Sequence, residues 1–180
     1  MAVFIIILSI LLWLAALAAL LRRQIAAPAL GYLGLLCLSF AKDGNLPLLP
    51  ISPSILWGWL AMTAVVTMAG LLQPSAVRDG TEGTGYMTGG ALTGLAVGLL
   101  GFSATPDLGM LYGIMVVAVA AGVFFGFLLF SRTPRGAGFG PSSGHFFNYL
   151  LAKGFPTAIT VMQIGVALVL AIALQKFVNP

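Results

Sequence analysis

Apolar stretches about 17 to 23 residues long recur six times along the chain, each closed off by a short polar break. A helix rises 1.5 Å per residue, so about 20 apolar residues cross the roughly 30 Å hydrocarbon layer of a bilayer. By that ruler the spans run Val3–Leu21, Ile25–Ala41, Ile55–Leu72, Tyr86–Phe102, Leu108–Phe130 and Pro156–Phe177. The second and fourth are the shortest. The expected fold is an all-α, polytopic membrane helix bundle of six transmembrane helices, with residues 1–180 forming one integral membrane domain.

The breaks carry the residues that stop helices. Lys42-Asp43-Gly44-Asn45 opens one loop, and Pro47, Pro50 and Pro53 are expected to keep it from becoming helix. Gln73-Pro74 ends the third span, Thr105-Pro106-Asp107 separates the fourth and fifth, and residues 132–144 are rich in Gly, Ser and Pro. Pro28 lies in the first turn of the second span, where a missing N–H is tolerated. Phe146 to Lys153 reads as a short amphipathic helix at the interface, ahead of Gly154 and Pro156.

Basic residues fall unevenly in alternate loops. Arg22, Arg23, Arg78, Arg132, Arg135 and Lys153 lie on one side, Lys42 and Lys176 on the other. The positive-inside rule places the first set in the cytoplasm, so both termini are expected outside it. Trp57 and Trp59 then sit at the outer interface, where indole rings are favoured. Nothing basic precedes the first apolar run and Arg22-Arg23 follow it, the arrangement of an anchor rather than a cleaved signal. A five-span alternative, with a re-entrant second segment, would put the termini on opposite sides.

Composition agrees with lipid as the outer solvent. Of the 180 residues 60% are hydrophobic and 7% charged, against about a quarter charged in soluble domains. The net charge of +4 forms no clustered basic patch, so nucleic acid is not an expected partner. Cys37 is the single cysteine, which excludes an internal disulfide or a thiol pair. No metal site and no cofactor are expected, and no phosphate-binding G-x-x-x-x-G-K-[ST] stretch occurs.

Between helices in lipid, close contact of small residues substitutes for the hydrophobic drive. Gly90, Gly94, Gly98 and Gly101 share one face of the fourth span, and Gly85 and Gly89 extend the habit toward its start. The fifth span has two such patches. Gly109, Gly113 and Ala120 lie nearly opposite Ala118, Gly122 and Gly126, which predicts a helix packed on both sides.

Polar side chains inside the spans are few. Thr63 and Thr67 share a face with Gly70 in the third span, and Thr157, Thr160 and Gln163 line one side of the sixth. Such groups either bond the preceding turn and tie helices together or line a polar path, and the first reading carries more weight. No carboxylate or histidine lies inside a span, which counts against proton coupling. The remaining polar chemistry gathers in the cytoplasmic loops. Arg78, Arg132, Arg135 and His145 are candidates for an anion or lipid site beside glycine-rich backbone. Asp79 with Glu82, and His145 with Ser142 or Ser143, are weaker acid–base candidates.

These features lead to a small inner-membrane transport or permeation protein, or the membrane subunit of a transporter. A non-catalytic scaffold subunit of a larger membrane complex comes second, and an enzyme acting on lipid head groups at the cytoplasmic face third. The expected partners are the lipid bilayer and, beyond it, other membrane subunits or further copies of the chain.

Overall fold

The computed structural model describes residues 2–22, 24–43, 46–47, 49, 51–100 and 108–178. It is built of helices: α1 (Ala2–Arg22), α2 (Ala27–Ser39), α3 (Pro53–Leu71), α4 (Ser75–Arg78), α5 (Thr84–Leu100), α6 (Leu108–Ser131), α7 (Phe146–Tyr149) and α8 (Phe155–Val178). A 3-10 turn, Gln24–Ala26, leads into α2. Four helical stretches are long and apolar enough to cross a membrane: Ala2–Arg22, Pro53–Leu71, Gly109–Ser131 and Phe146–Ala173. Gln24–Ser39 is a shorter apolar helix, and α5 is 17 residues long.

Helix α8 is the hub. In its apolar window 72% of residues are buried, against 17, 22 and 33% in the other three long helices. Helices α1, α2, α3, α5 and α6 all pack on it. Around α8 they run in the order α3, α2, α1, α5, α6, each against the next, while among the described residues α6 and α3 pack on α8 and make little contact with one another. The ring is therefore open on one side.

The α5–α6 contact shows why small residues recur there. A Cβ added at Gly90 would strike the Gly122 carbonyl, and one at Gly122 the Gly90 carbonyl. One at Gly94 would strike Ala118 O and one at Gly126 Tyr86 O. The two backbones meet directly, as small-residue stripes in lipid allow. The opposite patch of α6 behaves differently from expectation. Gly113 and Ala120 are exposed, and a Cβ at Gly113 would meet nothing within 4 Å. Helix α6 is packed through one small-residue face only. Gly85 and Gly89 likewise open onto free space, and Gly101 lies outside the described residues.

Other boundaries differ for local reasons. Pro53 does not block helix but begins α3, because a first-turn N–H needs no intrahelical partner. Ser52 caps that end, its Oγ accepting from Ile55 N at 3.4 Å. Lys42–Asp43 pairs antiparallel with Leu46–Pro47 as a two-residue ladder. The expected interfacial helix at Phe146 is continuous with α8. A π turn over Leu150–Gly154 joins them, with Phe155 N–H bonded to Leu150 O five residues back. That shift of register precedes Pro156, which has no N–H to continue an ordinary ladder.

The glycine contacts are tested by two alanines. Gly94→Ala is expected to lower bundle stability by about 1–3 kcal/mol, the usual cost of overpacking. Gly89→Ala, with open space at its Cβ, is expected to be neutral or stabilising by up to about 1 kcal/mol, since alanine favours helix. Thermal unfolding in one detergent compares them; equal melting would remove α5–α6 contact as the cause.

Candidate functional site

A buried polar pair, Gln163 and Thr63, meets where α2, α3 and α8 converge. Gln163 on α8 is fully buried, and its Nε2 donates to Thr63 Oγ1 on α3 at 2.8 Å. Thr63 in turn donates to Trp59 O at 2.7 Å, one turn back. Thr157 and Thr160, both fully buried, donate to Lys153 O and Pro156 O at 2.8 and 2.7 Å. Gln163 Oε1 has no hydrogen-bond partner and rests against Gly31 of α2, where a Cβ would collide with it. Thr67 is less enclosed, and its Oγ1 is buried without a partner. The threonine hydroxyls mostly satisfy themselves on their own helices, and Gln163 ties α8 to α3. None of the clefts described below is lined by Gln163, Thr157 or Thr160.

A second polar assembly lies at the end of the bundle where α1 stops and α5 and α8 begin. Lys153, 2% exposed, sends its ammonium to Arg78 O at 2.7 Å and also to Gly80 O. Sequence reasoning placed Lys153 at the interface; instead it is buried, because these carbonyls replace water around its charge. Beside it, Tyr149 Oη donates to Glu82 O at 2.6 Å. The loop between α4 and α5 is thus held by two side chains one helical turn apart. Gly83 in that loop has φ +75° and sits against Tyr149 Oη and Phe130, so both conformation and space demand glycine. Tyr149 itself is ringed by Phe127, Phe130 and Phe139, with centroids 5.8, 5.5 and 4.7 Å away.

The candidate anion residues fall in separate places. Arg78 bonds its neighbour Asp79 (Nε to Oδ1, 3.1 Å) and lines a cleft of about 630 Å³ with Arg22, Gln24 and Asp79. Arg135 lines a cavity of about 310 Å³ with Glu82, Tyr86 and Thr133. Arg132 and His145 are exposed. The two cavities share no lining residue, so Asp79 and Glu82 do not face one cleft. Ser143 Oγ is buried without a hydrogen-bond partner, so it forms no dyad with His145. The stretch around Arg135 is ordered by turns: Thr133 Oγ1 donates to Phe130 O and accepts from Gly136 N.

Gln24 was not singled out in the sequence, yet it is 3% exposed and neither side-chain amide atom has a hydrogen-bond partner. Leaving such a group unsatisfied costs about 1–3 kcal/mol. Its neighbours Arg22 and Arg23 masked it in the sequence, since a glutamine between two spans reads as loop.

The third feature is apolar. The open side of the helix ring is a cleft of about 680 Å³ between α3 and α6, floored by α8. Gly58, Trp59 and Met62 form one wall, Gly109, Tyr112 and Val116 the other, and Met162 and Val166 part of the floor. Trp59, expected at the interface, is 7% exposed here and faces the cleft that Tyr112 lines from the other side. Trp57, two residues earlier, is 70% exposed. Compared with protein-family models, curated proteins and solved structures, the chain matches none.

Two substitutions separate the polar assemblies. Gln163→Leu removes one interhelical bond, worth about 0.6 kcal/mol on average in lipid, and also an unpartnered oxygen, so stability is expected to change by under about 1 kcal/mol. Lys153→Met keeps the length but strips two carbonyls of their donor. Its expected loss is about 1–3 kcal/mol for each group left unsatisfied, with faster proteolysis in residues 78–84. A protein resistant to protease after Lys153→Met would show that the lysine does not hold this loop.

Proposed function

We propose that this chain is a six-span membrane protein of an inner membrane that serves as a non-catalytic subunit, its open side receiving a transmembrane segment of a partner. Six spans are supported by α2 and α5. Gln24–Ser39 and Thr84–Leu100 are near 25 Å long at 1.5 Å per residue, slightly short of the hydrocarbon thickness, which local thinning or flanking residues accommodate. The gathering of Arg22, Arg78 and Lys153 at one end supports the alternate-loop charge count, hence a cytoplasmic placement of that end and extracytoplasmic termini.

The observation that carries the subunit reading is the gap in the ring. Five helices surround α8 on every side but one, and there its floor residues Met162 and Val166 face an apolar cleft. Gly58 in its wall has nothing within 4 Å of a Cβ position, which leaves room for the close backbone approach that joins helices in lipid. A photo-crosslinking residue at Met62 or Gly109 is expected to trap one protein species in native membranes, in proportion to the chain. The same residue at Val65, on the outer face of α3 and 62% exposed, is not. Crosslinks to lipid alone from all three positions would overturn this reading.

Transport is a second reading, favoured by one observation: Gln163 Oε1 is buried mid-bundle with no partner. It requires another conformation in which water reaches that oxygen. In a Cys37→Ala background, Gln163→Cys is expected to stay unreactive toward a water-borne maleimide in liposomes. Rapid labelling would favour the transport reading over the subunit reading.

A further inference from the structure

We propose that the cleft between Arg22, Gln24 and Arg78 is a binding site for a phosphate-type oxyanion. The cleft measures about 630 Å³, and of its six lining residues only Ile25 and Ala26 are apolar. Two independent features converge on it. Gln24 lines the cleft, is 97% enclosed, and both its amide atoms lack partners, so a donor N–H₂ and an acceptor C=O lie unpaired just beneath its wall. The 3-10 turn Gln24–Ala26 that leads into α2 forms this wall of the cleft, with Ile25 and Ala26 beside Gln24.

The second feature is charge. Arg22 and Arg78 both line the cleft. Arg78 directs Nε to Asp79 and one terminal nitrogen to Leu71 O at 3.4 Å, contacts that occupy two of its five N–H donors. Lys153 holds the Arg78 and Gly80 carbonyls from beneath, fixing the backbone that carries the guanidinium. Three cations against the one carboxylate of Asp79 leave the region positive. Asp79 suits a headgroup or oxyanion that also carries a hydroxyl, which it accepts from. The phosphate belongs either to a lipid headgroup, which α1 would place at this level because Arg22 ends a helix of membrane-spanning length, or to a soluble phosphate compound. The site is independent of the partner-helix reading above.

The test uses the full chain in nanodiscs. In phosphatidylcholine discs its melting temperature is measured with and without millimolar inorganic phosphate, and in separate discs with one-fifth phosphatidylglycerol. The wild type is expected to gain stability in at least one arm; a gain only with phosphatidylglycerol assigns the site to lipid, a gain with inorganic phosphate to a soluble oxyanion. Gln24→Leu is expected to melt higher than wild type without either ligand, because an unpartnered amide is gone, yet to lose the ligand-dependent gain. Gln24→Glu, similar in size, is expected to lose the gain through repulsion, and Arg78→Lys to weaken retention of the anion in native mass spectrometry about tenfold. Arg132→Ala, exposed and away from the cleft, is expected to keep the full gain. No gain in either arm for the wild type, or an equal gain in both Gln24 variants, would overturn the proposal.

Discussion

A helix buried on most of its circumference has no water to hydrogen-bond its polar side chains, and α8 carries four within residues 153–163 if its leading π turn is counted: Lys153, Thr157, Thr160 and Gln163. Apart from Gln163 Oε1, each is answered from inside the protein. The threonines turn back onto Lys153 and Pro156 carbonyls, and Gln163 reaches α3. Those answers dictate the neighbours. Thr63 has to stand at the level of Gln163, and α2 has to offer glycine there, since Gly31 leaves no room for a Cβ beside Oε1. The apolar outer surfaces of the surrounding helices impose no comparable demand, because lipid accepts them in any rotation.

The same accounting explains the ordered loop end. A buried lysine is tolerable only where oxygens replace its hydration shell, and a segment such as residues 78–83 has surplus carbonyls because it turns too tightly to make a ladder. Lys153 and Tyr149 use them. The aromatic cage around Tyr149 keeps water from competing, and the π turn aims both side chains at the loop. Stability of the loop and the path of α8 are therefore one problem with one solution.

Residues with strong periodic or charge signals were readable from the sequence. The helix limits matched within a few residues for α1, α3, α5 and α6, and Gln163 and Thr63 were picked out as interior polar groups. What escaped was set by distance along the chain. Lys153 meets carbonyls 73 and 75 residues away, so nothing local distinguishes it from a topogenic charge. Trp59 reads as interfacial beside Trp57 because only the packing of α3 against its neighbours decides which indole turns inward. The second small patch of α6 failed as an interface for the opposite reason: small residues permit contact but do not compel it, and the ring of helices ends at that edge.

The open side and the charged cleft answer to different physics, which bears on how the molecule works. An apolar cleft in lipid is filled by acyl chains at little cost, so a partner helix gains only through closer packing than lipid achieves. That makes glycine at Gly58 and Gly109 informative and the many exposed leucines and phenylalanines uninformative. An unpartnered buried amide is costly whatever surrounds the protein, so Gln24 persists only if something recovers that cost or if its side chain is needed elsewhere. No described group in the protein recovers it. Arg22 and Arg78 line the same cleft, and the ligand we propose for it, an oxyanion with a further hydrogen-bonding group, answers the cations and the amide at once.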